Sequence, residues 1–326
     1  MSVVTQADPT TPAGSARGLS ERRPLGDRSF QIIALACGLL VLVILVLIAV
    51  STTSQASSWF SAEGLKIFTN NWNPANNQFG ALAFIYGTAI TAVIALIMAV
   101  PVSVGIALLL TEVVPYRWSR PIVYVIDLLA VVPSVVWGLW GIIVFAPWIQ
   151  HIYSSIASGV KGIPVLDSLF GAPTSGASFF TAGIILAFMI TPIVTSLSRE
   201  VIATVPQIDR EGAYALGATR WEMIRGAVWP HSQGGVVGAV LLGLGRAMGE
   251  TIAVALVIGS SAVITSHLFA PGYNMAAVIA NQFGEATGVF RAALMGIGVL
   301  LFVFTIIINV IARTVVERSA RKKRGA

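Results

Sequence analysis

The chain has 326 residues, 56% hydrophobic and only 10% charged, with a mean hydropathy of +0.84. A water-soluble domain of that size carries far more charge, and apolar residues gathered into long blocks mark a membrane protein. The net charge of +6 does not signal nucleic acid, because the basic residues stand beside the apolar blocks; the single cysteine, Cys37, excludes an intramolecular disulfide, and no Cys/His cluster offers a metal site.

Residues 1–28 hold Pro9, Pro12, Pro24 and many Ser, Thr and Gly with no apolar period, the composition of a disordered tail. The first apolar block, 30–50, is longer than the core of a secretory signal, and no clean small-residue cleavage site follows it. It reads as a retained first transmembrane helix, followed by an external segment to residue 83. Further spans are predicted at 84–110, 121–145, 179–197, 234–264 and 289–312. Each suffices to cross roughly 30 Å of hydrocarbon as a helix. The predicted fold is therefore all-α and polytopic, with about six transmembrane helices. Its core covers 84–312, and 313–326 form a basic tail. The fifth block is long enough to bend or tilt. Pro101 and Pro133 interrupt spans two and three, as ordinary kinks or as bends used in function.

Sixteen of the twenty Lys and Arg residues fall in the N-terminal tail, the loops after spans two and four, and the C-terminal tail. The opposite loops offer only Lys66 and Lys161. The positive-inside rule places both termini in the cytoplasm, which agrees with an even number of spans. Trp59, Phe60, Trp72, Trp148 and Tyr153 on the outer segments read as an interfacial aromatic belt. The run Arg321-Lys322-Lys323-Arg324 reads as a topology determinant beside anionic lipid. Glu285 and Arg291 near the outer end of span six either pair with each other or meet an external protein.

The longest charged stretch between spans is 199–231. Thr204 with Gln207 fits a capping box, and Pro206 is tolerated in a first turn. That helix runs through Glu211, Ala213, Tyr214 and Leu216 until Gly217 stops it. Thr219 with Glu222 gives a second capping box, and Pro230 marks the entry to span five. The segment is helix, sharp turn, helix. Helices this short are marginal in water, so they pack either on this chain's own membrane domain or on a cytosolic partner.

Span five carries Arg246 and Glu250. A charge near the membrane interior is costly unless paired or hydrated. Four residues apart, the two share one helix face, and they predict either an ion pair that fixes packing or a polar lining to a translocation path. Guanidinium suits a tetrahedral oxyanion because its fork donates two parallel hydrogen bonds; Glu250 would keep the path from trapping the anion. Gly245 and Gly249, with Gly234 and Gly238, predict close helix approach.

Glu211-Gly212-Ala213, Gly217 and Pro230 resemble the EAA loop of ABC importer permease subunits, whose pattern is E-A-A, three residues, G, nine residues, I, one residue, L, P. Gly212, Ala227 and Trp229 stand where that pattern has Ala, Ile and Leu. The resemblance implies the type I importer permease fold and assigns Glu211, Gly212, Ala213, Gly217 and Pro230 to coupling with an ATPase subunit. The chain has no G-x-x-x-x-G-K-[ST] and no Gly-Lys pair at all, so ATP is expected to be bound and hydrolysed by that partner, and no catalytic residue is expected here. From about 72 to 313 the chain further resembles the permease subunits of phosphate ABC importers. The stretches are Asn73-Pro74, Phe79-Gly80-Ala81, Tyr86-Gly87-Thr88, Asp127-Leu128-Leu129-Ala130, 133–141, Arg199-Glu200-Val201, 245–251 and 281–286. Asp127 stands where relatives usually carry Glu, and the family's intramembrane Arg and Glu map to Arg246 and Glu250. The implied partners are a second related permease subunit, an ATPase dimer, an external phosphate-binding protein, inorganic phosphate and membrane lipid. The competing readings are a permease for sulfate, molybdate or a small organic solute, and a channel or secondary transporter working without ATP.

Overall fold

A computed structural model of the chain describes residues 25–173 and 175–324, with side chains over 29–173 and 175–314. The expected disordered tail lies outside the described residues as far as residue 24, and helix α1, Leu25–Glu63, has begun by Leu25. The part of the chain up to Val50 is one compact unit and the rest, from Ser51, another. In the first unit Phe30, Leu39, Leu47 and Val50 are all more than half exposed. Such a surface suits hydrocarbon, where a helix satisfies its own backbone polar groups.

The second unit begins with the last turns of α1 and a 3₁₀ turn, Gly64–Phe68. A two-residue hairpin follows, β1 (Trp72–Asn73) and β2 (Gln78–Phe79), antiparallel with Trp72 opposite Phe79. These are the only strands among the described residues. The helices then run α2 (Leu82–Leu108), α3 (Tyr116–Val131), α4 (Ser134–Trp140), α5 (Ala146–Val160), α6 (Pro164–Leu169), α7 (Phe179–Ala203), α8 (Gln207–Ala215), α9 (Arg220–Met223), α10 (Trp229–Gly249), α11 (Ile252–Val257), α12 (Met275–Gln282) and α13 (Gly288–Arg324). π-helical turns at Leu109–Val113, Gly141–Phe145 and Ile224–Val228 extend α2, join α4 to α5 and join α9 to α10.

α2 and α7 form the central pair and run in the same direction. Phe179 meets Gly87, Gly183 meets Ile94, Thr191 accepts a hydrogen bond from Ser103, and Ile202 shares a cluster with Ala107. α10 lies antiparallel to α7: Gly235 sits against Val201 and Gly243 against Val194. Lipid tails are as apolar as Leu, so van der Waals contact at short range holds such helices together, and small residues permit it. Along α10 the glycines that serve this purpose are Gly235 and Gly243. Gly234, Gly238, Gly245 and Gly249, the positions expected from the sequence, face open space within the described residues.

Two predicted spans are not single helices. The 121–145 block is divided at Val132 and Pro133, both extended (ψ 125° and 140°). Proline lacks the N–H that would continue the ladder and pushes its predecessor out of the helical region. The long apolar helical run is instead Ser134–Val160, and α3 is a separate helix whose Asp127 accepts a hydrogen bond from Ser196 of α7 at 3.2 Å. Pro101 in α2 and Pro192 in α7 are carried through without a break. The 234–264 block ends its main helix at Gly249. α11 follows after two residues, and 258–274 is non-helical. Among the described residues, five helical runs are apolar and long enough to cross a membrane. α10, with 21 residues and a length of about 31 Å, supplies a sixth of sufficient length but more polar composition.

The 258–274 stretch threads across the start of α7. Ser178, Phe179 and Phe180 donate their N–H groups to the carbonyls of Val257, Ala270 and Leu268 at 3.0–3.1 Å. The first amides of a helix have no partner within it, and here another backbone segment supplies partners. Beside it, Trp59, Phe79, Phe84 and Tyr273 form a buried cluster with Met275 and Leu294. Trp59 donates from its indole nitrogen to the Phe79 carbonyl at 3.1 Å and packs on Gly296. The aromatic residues expected at the interface thus divide: Trp59 and Tyr153 are buried, Phe60 and Trp72 are half-buried, and Trp148 stays exposed.

Candidate functional site

The polar segment between α7 and α10 folds as helix, turn, helix, with one change from expectation. Thr204 does not cap α8. It closes α7, its hydroxyl donating to the Val201 carbonyl at 2.7 Å, and Pro206 starts α8 with no side-chain cap. A threonine one turn from an exhausted helix is drawn to that helix's free carbonyls. The turn is as expected. Gly217 adopts φ +81°, a conformation that disfavours any side chain. Its N–H bonds to the Tyr214 carbonyl and that of Ala218 to the Ala213 carbonyl, at 2.9 and 3.1 Å, the two bonds of a Schellman motif. The second capping box is present too. Thr219 donates its N–H and hydroxyl to the Glu222 carboxylate at 2.8 Å each, and the Glu222 N–H reaches back to the hydroxyl. The backbone bond first, then the hydroxyl bond, holds the Glu222 carboxyl below the usual carboxylate range.

α9 continues through the π turn into α10, the Trp229 N–H bonding to the Ile224 carbonyl. Pro230 next offers no N–H, and the wider turn accommodates that gap. The inner side of this hairpin is buried: Met223, Ile224 and Val228 join Ala107, Ile202 and Val205 in one cluster. The outer side is not. Ile208, Leu216 and Trp221 are 75%, 90% and 67% exposed. The segment therefore packs on its own chain through Met223, Ile224 and Val228 and leaves Ile208, Leu216 and Trp221 exposed.

Glu211 and Gly212 lie exposed on α8, with Ala213 half-buried behind them. A Cβ added at Gly212 would meet nothing within 4 Å, so Ala fits there. A cavity of about 900 Å³ lies between α7, α10 and α13; Arg246, Glu200, Asn309 and Arg313 supply its polar lining. A second, of about 610 Å³, separates α8 from the start of α10 and is lined by Asp209, Gly226, Ala227, Pro230 and His231. Pro230 and Ala227 thus line a groove in the hairpin, and Gly217 lies outside it.

Arg246 and Glu250 are not brought together. Arg246 is exposed, in the last turn of α10. Glu250 lies past the helix end in extended backbone (ψ 127°) and is buried. Its carboxylate accepts the Ala253 N–H at 3.4 Å, at the start of α11 where amides lack helical partners. Its carbonyl accepts from the Asn274 amide at 3.5 Å. The packing ion pair is therefore absent, and the expectation of a shared helix face fails because α10 stops at Gly249. Arg246 alone of the two lines the 900 Å³ cavity.

Two residues escaped the reading of the sequence. Arg210 and Glu112, 98 positions apart, form the one ion pair among the described residues, at 3.0 Å. A lone acid closing an apolar block, as Glu112 does after Leu108-Leu109-Leu110-Thr111, was the available signal.

Long apolar helices interrupted by a polar hairpin with exposed apolar side chains are the make-up of a multi-pass membrane protein. Residues 79–325 match the family described as binding-protein-dependent transport system inner membrane component, and the chain belongs to that family. It is 42% identical to the phosphate transport system permease protein PstC of Xylella fastidiosa over 99% of both chains. It is also 42% identical to the protein of that name from Haemophilus influenzae, over 87% of this chain and 91% of that one. Among solved structures, a bacterial ABC transporter involved in import of the acidic polysaccharide alginate matches with a TM-score of 0.52 at 16% identity, covering 89% of this chain and 99% of that chain. That likeness shows the permease fold. The chain is a multi-pass inner membrane component of a transport complex, not an enzyme.

Proposed function

We propose that this chain is the permease subunit of an ATP-driven importer of inorganic phosphate and forms half of its translocation path. The observation that carries this reading is the 42% identity, over 99% of both chains, to the phosphate permease of Xylella fastidiosa. A second related permease completes the path, an ATPase dimer binds below, and an external phosphate-binding protein delivers the anion. The segment 199–231 faces the cytoplasm, as do both termini. The placement of sixteen of twenty Lys and Arg residues supports that orientation. Glu211, Gly212, Ala213, Gly217 and Pro230 belong to the face that meets the ATPase; the exposed Ile208, Leu216 and Trp221 support this. Arg246 contributes the anion-attracting charge of the path, because it is exposed and borders a cavity of phosphate-admitting size. Glu250 acts on the path indirectly, by fixing the break at which α10 ends.

The test is uptake of radiolabelled phosphate by cells or proteoliposomes holding the whole complex. Unlabelled phosphate should abolish labelled uptake while equal sulfate leaves it intact; equal inhibition by sulfate would refute the substrate. Arg246→Gln should lower uptake by about 100-fold, the scale of a lost charge-assisted contact of about 3 kcal/mol, with the complex still assembled. Loss of assembly would assign Arg246 to packing instead.

A further inference from the structure

We infer that Arg210 and Glu112 are the positioning residues through which the 199–231 hairpin moves the transmembrane helices; this rests on the reading of that hairpin as the ATPase-facing element. Arg210 projects from α8 and is held at three points. Its Nη2 donates to the Glu112 carboxylate at 3.0 Å and to the Ile202 carbonyl at 3.0 Å, and its Nη1 donates to the Val205 carbonyl at 2.6 Å. Ile202 belongs to the last turn of α7, Val205 to the link beyond it, and Glu112 to the π-helical turn that ends α2. One side chain thus ties α8 to the ends of both helices of the central parallel pair. The Glu112 side chain is 5% exposed and that of Arg210 16%, so the pair is shielded from screening.

Among the described residues this is the one ion pair, and the one charged attachment of α8 to the ends of both helices. α8 has no buried residue, and its remaining apolar attachment is the half-buried Ala213 against the cluster around Ile202. A short helix with so little packing cannot pull its neighbours by van der Waals contact alone. A charged, three-point attachment can, because guanidinium is planar and its donors keep a fixed geometry. The π turn that carries Glu112 adds to this, since single π turns occur frequently at functional sites. The attachment is also not saturated: the Arg210 Nε–H is buried and has no hydrogen-bond partner among the described residues. A carboxylate approaching that edge can take a second bond, so the pair has a tighter, bidentate setting available when α8 shifts toward α2.

The whole complex, purified and reconstituted in proteoliposomes, tests this by measuring phosphate taken up and ATP hydrolysed in the same preparation. Glu112→Gln should retain the ATPase subunits at wild-type stoichiometry and continue to hydrolyse ATP, while phosphate moved per ATP falls by about tenfold, the scale of a coupling between sites. Glu112→Asp, which keeps the charge, should recover most of that loss. An unchanged ratio in Glu112→Gln overturns the inference, and so does loss of the ATPase subunits from that variant, which would make the pair an assembly element. The reading it rests on fails separately, if the unmodified complex moves no phosphate at the expense of ATP.

Discussion

The two ends of α10 are built in opposite ways. At Trp229 the helix is continuous with α9 through a π turn, and the hairpin it joins is held by one cluster and one part-buried ion pair. At Gly249 the helix stops, and the chain beyond is locked by the Glu250 cap, the amides of α7 and an aromatic cluster with Trp59 at its centre. The first end has an unbroken lever and few attachments. The second has many attachments and no lever. On the function proposed above, a push on the hairpin would pass along α10 and α7 and meet resistance at the far end.

That contrast can be broken most severely at the locked end. Trp59→Ala removes a fully buried ring and its bond to the Phe79 carbonyl. It should destabilise the protein by about 3–5 kcal/mol, seen as a large drop in melting temperature in detergent. A small drop would mean the aromatic cluster is not what holds this end. At the hairpin, Gly217→Ala forces a side chain into φ +81° and should cost about 1–2 kcal/mol. Hydrogen exchange should quicken across α8 and α9 and stay unchanged around Trp59; a uniform change would erase the contrast. Gly212→Ala acts the other way. The added methyl meets open space, so α8 should gain up to about 1 kcal/mol, measured as slower exchange of its amides. The smallest effect concerns pH. The Glu222 carboxyl is held below its unfolded value, so the capping box contributes fully above the unfolded pKa and loses its contribution as pH falls through the folded one. Exchange of the Thr219 amide should rise across that acidic window relative to Glu222→Gln, in which no such dependence remains.

The same two ends differ in how far the sequence discloses them. Gly217, Thr219 and Glu222 lie within six positions of one another, and their bonds are local, so spacing alone announces the turn and the cap. Thr204 and Gln207 have the same spacing, yet Thr204 is spent on α7; a capping pattern cannot tell a helix start from the end of the helix before it. Prolines divide likewise. Pro133 breaks its span while Pro101 and Pro192 do not, and the residue type alone reads the same at all three. The break at Glu250 is fixed by Ala253 and by Asn274, 24 residues on, and Arg210 finds Glu112 across 98. The helical class and most of the spans are thus legible from hydropathy. The far end of α10 and the attachment of α8 are tertiary, and no periodicity records them.

Labelled phosphate uptake into proteoliposomes holding the reconstituted complex, with ATP supplied on the ATPase side, tests the central claim most directly. Phosphate should accumulate against its gradient only when hydrolysable ATP is present, and excess sulfate should leave the rate unchanged. Uptake at the same rate without ATP, or stopped by sulfate as effectively as by phosphate, would contradict it.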